Sequence, residues 1–418
     1  MKKTLLLLLL AGWAVQPLCA SKTKPAPATA PHPAPAGFIT IDGVDLRAPD
    51  GSKFFIRGTN LGHWLNPEGY MFRFKDANSP HMIDEALREM VGPDAAAQFW
   101  RDFKDAFITR KDIAFIASTG ANTIRVPFNY KLFTDEDYLG LTVAQDGFAR
   151  IDTLVSWCRA EGLHIILDMH DAPGGNSGGN IDDSYGYPWL FVSEHSQQMF
   201  RDIWRRIAAH YKNEPVVLGY DLLNEPIGHQ FPELNARYLD VCKMGIAAIR
   251  EVDPNHIIIL GGTQWNTNFS VFEGWKPDPG IMFSCHLYKG QALISRLEPY
   301  IKFRDSVNRP MYMGEIGHNT NEWMTRFREM MEENNIGWTT WPYKYIGEQT
   351  FLTIARPADW DAVAKFVESP RNSYDNIRAA RPDQAVAQRA LNEYIENCRF
   401  ENCTPNEGFI EALGLKVK

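Results

Sequence analysis

Apolar residues gather in eight short runs along this chain: FFIRG (54–58), NTIRVP (122–127), HIILDMH (164–170), VVLGYDLLNE (216–225), HIIIL (256–260), IMFSCHLY (281–288), PMYMGEIG (310–317) and IGWTTWPY (336–343). They are nearly continuous rather than alternating, the pattern of strands covered on both faces and so of a parallel sheet. Between most of them apolar residues recur at helical spacing, as in FARIDTLVSWCRAEG, SEHSQQMFRDIWRRIAAHYKN, ELNARYLDVCKMGIAAIREVDP and NEWMTRFREMMEENN. Asp146, Ser193 and Asn321 read as helix starts, and Gly162, Asn213 and Asn335 as stops. Ahead of the first run, TIDG and APDG mark a hairpin that feeds it. Strand and helix alternating in this way predict an α/β fold, a (β/α)8 TIM barrel. An open doubly wound sheet is the competing architecture, but RGTNLG lacks the glycine spacing of a dinucleotide-binding turn.

Two connections stand out. The one after the first run, from His63 to about Lys111, holds WLNPEGYMFRF and a helical MIDEALREMVG. The one after the third, DAPGGNSGGNIDDSYGYPWLF, combines backbone freedom with the rings of Tyr185, Tyr187, Trp189 and Phe191. In a barrel both rise over the C-terminal face of the strands, where barrel chemistry occurs. Beyond Phe351, DWDAVAKFVES and DQAVAQRALNEYIENCRF read as outer-layer helices, so 38–418 is expected to be a single barrel domain with a helical extension.

The N-terminus changes the picture of where this domain works. Residues 1–20 carry Lys2 and Lys3, the apolar Leu5–Leu10 and a small residue at Ala20, which reads as a cleaved signal peptide. Lipid attachment at Cys19 is the weaker reading, because Gln16, Pro17 and Leu18 make a poor lipobox. Residues 21–37 alternate Pro and Ala and read as an extended spacer. A secreted or periplasmic monomer follows, with no transmembrane segment in the mature chain. Net charge is −8; Lys2 and Lys3 are the only charges in 1–20, so the mature value is −10. That excludes a nucleic-acid binder, which needs a basic footprint, and permits a neutral polymer. Of the cysteines, Cys158, Cys242 and Cys285 read as buried thiols, whereas Cys398 and Cys403 are close enough to form a disulfide. No Cys/His cluster has metal-site spacing, and neither metal nor cofactor is expected.

The chemistry sits where the apolar runs end. Arg125, Asp168 with His170, Asn224 with Glu225, His286 with Tyr288, Glu315 and Trp341 all fall at the C-terminal ends of predicted strands. A carboxylate on strand four and another on strand seven suit acetal hydrolysis, in which one acid attacks or guides water while the other protonates the leaving oxygen. Aromatic rings nearby suit the C–H faces of sugars. A structural acid held by Arg125 is the plain alternative for Glu315. Glu68, Glu273, Glu322 and Glu348 lack a strand-end setting and read as surface acids.

RGTNLG, GANTIRVPF, ILDMHDAPGG, LLNEPIG, CHLY, MGEIG and WTTWPYK together resemble the ordered motifs of glycoside hydrolase family 5 from about Phe54 to Tyr345. FKDAFITRKDIAFIASTGANTIRVPFNY with HDAPGG leans toward its exo-β-1,3-glucanase branch. His63 before Trp64 and Asp171 depart from that branch, which tends to show Gly-Trp and a small residue there. The resemblance implies a retaining mechanism with Glu225 as acid/base and Glu315 as nucleophile, the two carboxyls about 5–5.5 Å apart. It further implies that Asn224 binds the sugar 2-hydroxyl, that Arg125 and Tyr288 support Glu315, and that His286 lies beside Glu225. His170 would contact hydroxyls or orient its neighbours, and Trp341 would floor the reacting sugar. Trp265, Trp64 and Trp189 are candidate sugar contacts. The expected partner is a β-linked polysaccharide or oligosaccharide. The alternatives are a β-mannanase or other β-glycosidase, a paired-carboxylate metal hydrolase, or a non-catalytic carbohydrate-binding or scaffold protein on the same fold.

Overall fold

The computed structural model describes residues 37–417. The leader, Cys19 and all but the last residue of the Pro/Ala stretch lie outside the described residues. Eight parallel strands close into a barrel: β1 (Arg57–Asn60), β2 (Thr123–Asn129), β3 (His164–Asp171), β4 (Val217–Asp221), β5 (Ile257–Gly261), β6 (Ile281–His286), β7 (Met311–Ile316) and β8 (Gly337–Thr340). Every one of the eight apolar runs contributes a strand. The first is displaced: Phe54 pairs instead in an antiparallel sheet with Asp45–Arg47, and the barrel strand starts at Arg57. That small sheet has a purpose in the packing. Ile39 and Leu46 join Ile56, Ile166, Leu218, Met282 and Tyr312 in one buried cluster, so the hairpin closes the end of the barrel interior opposite the strand C-termini.

Helices Ala144–Glu161, Glu194–Tyr211, Asn235–Arg250, Glu298–Val307 and Asn321–Glu333 cover the outside. Their ends follow local chemistry. Ser193 caps the second by accepting from Ser196 N–H, and Gly162 ends the first in the left-handed conformation. Thr320, not Asn321, caps the last of them. The long β1–β2 connection folds into three helices, Pro80–Val91, Pro93–Phe107 and Arg110–Ser118, rather than one. The C-terminal helix Gln384–Cys398 packs on them, Tyr394 stacking on Trp360 and Phe103 and hydrogen-bonding His63 Nε2 at 3.0 Å. Cys398 and Cys403 are unbridged thiols; the Cys403 sulfur faces the Cys398 carbonyl at 3.7 Å. Among the described residues, no helix is long and apolar enough to cross a membrane.

Candidate active site

Parallel register brings distant residues into one layer. Asn60 on β1 lies beside Arg125 on β2, Asp168 on β3 beside Asp221 on β4, and His286 on β6 beside Glu315 on β7. Strand β7 is irregular against both neighbours just after Met313. Such a bulge re-aims a side chain, and here it falls immediately before Glu315. Gly314 at the bulge has no substitute: a Cβ there would sit 2.4 Å from Ser284 Oγ and 2.8 Å from His286 Nε2.

Arg125 is wholly buried and is the hub. It donates from Nη1 to Glu315 Oε1 at 2.7 Å and Asn60 Oδ1 at 3.1 Å, from Nη2 to Asn224 Oδ1 at 2.9 Å and from Nε to Asp221 Oδ2 at 3.0 Å. Asp168 Oδ1 stands 3.0 Å from Nη2. Asp168 Oδ2 holds His170 Nδ1 at 2.8 Å, and the opposite ring nitrogen meets Asn224 Nδ2 at 3.1 Å. His170 also lies parallel to Trp341, ring centres 5.2 Å apart and planes 6° from coincident. Burial pushes the His170 imidazole down to about 3, so it is a neutral positioning ring.

Glu315 is 4% exposed and Glu225 14%. One oxygen of each, with His286 Nδ1, falls within 4.8 Å of the others. His286 Nδ1 is 2.8 Å from Glu225 Oε1 and 3.5 Å from Glu315 Oε2, while its Nε2 meets Asn266 Nδ2 at 3.1 Å. With the Asn266 amide oriented to donate to Nε2, the tautomer assigned to the neutral ring has its proton on Nδ1, facing Glu225 Oε1, which leaves Glu225 Oε2 to carry a transferable proton. The second oxygen of Glu315 receives the Tyr288 hydroxyl. The three groups could be read as a metal cage. Their wiring argues otherwise: both Glu315 oxygens already receive proton donors, from Arg125 and from Tyr288.

A retaining pair needs one carboxyl raised and the other held ionised. Both instead move up. Burial raises Glu315, while Arg125 and the Tyr288 hydroxyl pull it back. Burial raises Glu225 much further, and the charges of Glu315 and Glu68 add to it. The order is what matters: a shared proton resides on Glu225 and the charge on Glu315.

Glu225 has φ 43° and Ile227 φ 54°, left-handed values uncommon for such residues and unfavourable before Pro226. The loop after β3 holds this conformation. Ile227 N–H donates to Asn176 O at 2.7 Å, Gly228 N–H to Ser177 O at 2.9 Å, and Asn176 Nδ2 to Asn224 O at 2.5 Å. Asp182 in turn accepts from the backbone N–H groups of Asn176 and Ser177. The Gly/Asn-rich stretch is therefore a brace for Glu225. A run of left-handed residues at Gln264, Trp265 and Asn266 serves the other side, burying Asn266 against His286 and leaving Trp265 40% exposed.

Glu225 separates two cavities. One of about 460 Å³ is lined by Glu68, Tyr70, His170, Glu315 and Trp341 together with Glu225. The other, about 410 Å³, is lined by Trp265, His286, Lys289 and Arg296, again with Glu225 and Tyr288.

Of the residues expected here, Glu225, Glu315, Arg125, His170, Asn224, His286, Tyr288, Trp341 and Trp265 come together. Trp64 and Trp189 do not. Trp64 is 2% exposed, its indole N–H donating to Lys104 O at 2.8 Å among the outer helices. Trp189 is half-exposed beside Tyr187 and lines neither cavity. Asp171 is buried behind the cavity, accepting from Asn129. Glu68 is the larger correction. It is not a surface acid but is 5% exposed at the cavity wall, pushed up to about 8 by burial and by the charge of Glu315. Its position eight residues past the end of β1 was the available signal, since a chain that short has not left the mouth. Tyr70 was missed with it; its hydroxyl accepts from the Trp341 indole at 2.7 Å.

The family model described as cellulase (glycosyl hydrolase family 5) matches residues 84–346. A β-xylosidase of Phanerodontia chrysosporium is 28% identical over 357 residues, 76% of this chain and 73% of the relative. Endoglucanase C of Acetivibrio thermocellus is 26% identical over 326 residues, 63% of this chain and 92% of that protein. Among solved structures, an endogalactoceramidase superposes with a TM-score of 0.58 at 18% identity, covering 90% of this chain and 84% of the other, a likeness of fold.

Proposed function

The chain belongs to glycoside hydrolase family 5, and from that premise we propose that it hydrolyses the β-glucosidic bonds of a β-glucan or related β-glycan by double displacement, with Glu315 as nucleophile and Glu225 as acid/base. The observation that carries this reading is the pair of carboxyls with an oxygen of each within 4.8 Å of the other, the more strongly raised one lying between two cavities. So close an approach is short of the roughly 6.5–9.5 Å of an inverting pair and suits attack by one carboxylate on the anomeric carbon.

Glu315, held by Arg125 and Tyr288, attacks the anomeric carbon while Glu225 gives its proton to the departing oxygen. Water then enters on the same side, Glu225 takes its proton, and the glycosyl–Glu315 ester breaks with net retention. The His286 N–H fixes the Glu225 carboxyl through both steps. Asn224, gripped by Arg125 and His170, is the group to bind the 2-hydroxyl of the reacting sugar, and Trp341 is its floor. Such a protein would be exported, as residues 1–20 suggest, and would meet its glycan outside the cytoplasm.

The test is azide rescue. Glu225→Ala should lose most turnover and, with azide, yield a β-glycosyl azide, whereas Glu315→Ala should yield the α-anomer. Full activity in either variant would sink the assignment. Turnover of a panel of β-glucans, β-mannans and β-xylosides, with products resolved over time, identifies the glycan and separates end-wise from internal cleavage. Binding without turnover across that panel would favour the scaffold reading.

A further inference from the structure

The two cavities that meet at Glu225 differ in charge. The first is walled by three acids, Glu68, Glu225 and Glu315, against one cation, Lys289, which it shares with the second. In the second Glu225 is the only acid among the lining residues, and its raised carboxyl holds a proton; Lys289 and Arg296 are cations there. Among the described residues neither cation pairs with a carboxylate within 4 Å, in a molecule where most arginines do. Arg296 is half-buried, and its Nη1 is shut from solvent with no hydrogen-bond acceptor. That nitrogen lies sealed beneath Gly290; the cavity is offered the other two guanidinium nitrogens, which stay open to solvent, and a neutral sugar supplies no charge to answer them.

The position is built rather than accidental. Arg296 lies in the turn Ile294–Arg296 that leads into helix Glu298–Val307. Gly290, at φ 95°, lets the chain after Lys289 pass directly over the guanidinium: a Cβ there would stand 3.0 Å from Nη1. A side chain at 290 would be strained at that φ and would push the guanidinium aside by a few tenths of an ångström. Trp265 supplies an apolar face beside it. Since the first cavity holds Glu315 and Trp341 beneath the reacting sugar, the second takes what leaves.

We propose that this second cavity selects a leaving group bearing an anion, a carboxylate as in a uronic acid unit or a sulfate, and so that the substrate is an acidic β-glycoside. The proposal rests on the hydrolase reading above. Arg296 meets the anion with its planar fork and Lys289 adds a mobile point charge at the shared rim. Glu225 protonates the glycosidic oxygen between the two cavities.

The experiment uses the full protein and three aryl β-glycosides, 3-carboxyphenyl, 3-sulfophenyl and the neutral 3-carboxamidophenyl, each as glucoside and xyloside. The kcat/KM ratio of anionic to neutral glycoside should be at least tenfold in the unaltered protein. It should fall to within about twofold in Arg296→Met, fall partway in Lys289→Met and invert in Arg296→Glu. Comparing ratios between variants cancels the intrinsic reactivity of each phenol and any loss of folded protein. Preference for the carboxylate arm assigns a uronate, preference for the sulfonate arm a sulfated sugar. Turnover of the neutral glycosides with a ratio near one, or a ratio unmoved by all three variants, would overturn this inference and leave the hydrolase reading intact. No turnover of any of the six would take down both.

Discussion

Two fully buried ion pairs in this molecule obey the same rules to opposite ends. Lys344 meets Asp112 at 2.8 Å where the chain leaves the barrel after β8, and every group there is answered. Lys344 also donates to Cys398 O at 2.7 Å. Asp112 accepts from the Tyr343 hydroxyl at 3.1 Å and, on its other oxygen, from Thr109 N–H at 2.8 Å and Oγ1 at 2.7 Å. One cation balances one anion. Arg125, equally buried, faces three carboxylates, Asp168, Asp221 and Glu315. Asp221 Oδ1 has no hydrogen-bond partner. Burial raises Asp168 and Asp221 to about 7 each even against the pull of Arg125. A balanced pair fixes structure. An oversubscribed cation under a cavity keeps excess acid in low dielectric, where protons are exchanged near neutral pH.

Removing each cation tests that contrast, and Arg125→Met should have the largest effect. It leaves Glu315 with no positive neighbour, so kcat should drop by about 10²–10³, and stability should drop by about 3–5 kcal/mol from the stranded carboxylates. Steady-state kinetics beside urea unfolding measures both. Retention of half the activity would break the comparison. Lys344→Met should cost the same roughly 3–5 kcal/mol yet leave kcat/KM of the folded protein within about twofold, because a sealed pair touches no substrate. Adding Asp112→Leu should recover much of that loss. A large fall in turnover without unfolding would show that the Lys344 pair is no mere tie.

Glu68 sharpens the contrast through pH. Its folded carboxyl is raised from 4.5 to about 8, so the folded state binds this proton more tightly than the unfolded chain. Its burial therefore costs nothing below pH 4.5, destabilises progressively between 4.5 and 8, and levels off above. Glu68→Gln should melt like the parent at pH 4.5 and gain on the order of 2–4 kcal/mol by pH 8.5. The same change removes a negative neighbour of Glu225, so the alkaline limb of kcat/KM should move to lower pH. Melting curves that differ by the same amount at every pH would refute the assignment.

How much of this was legible follows from the range of the forces involved. The eight strands were readable because burial on both faces writes itself into a few adjacent residues, and the chemical side chains ending six of the runs marked the mouth. Arg125, Glu225, His286 and Glu315 emerged that way. Glu68 did not, because its loop has the composition of a surface and only the fold turns it inward. Asn266 was hidden by a left-handed backbone that begins at Gln264 and Trp265, residues whose own propensities oppose it. The brace from Asn176 and Ser177 to the Glu225 turn is a pairing between loops, and glycines and asparagines alone do not say what they will hold.

Trp64 makes the limit concrete and supplies the smallest of the expected effects. Position along the chain, just past β1, made it a candidate sugar contact beside the better-placed Trp265, and ring chemistry cannot separate the two. Packing separates them: Trp64 is 2% exposed with its indole bonded to Lys104 O, while Trp265 is 40% exposed on the second cavity. Trp64→Phe should therefore cost about 1–2 kcal/mol, the lost hydrogen bond plus a small void, with KM unchanged. Trp265→Ala should do the reverse, raising KM with little change in melting temperature. A rise in KM for Trp64→Phe would mean the outer helices open to substrate, and the division between a structural and a chemical side of this barrel would have to be redrawn.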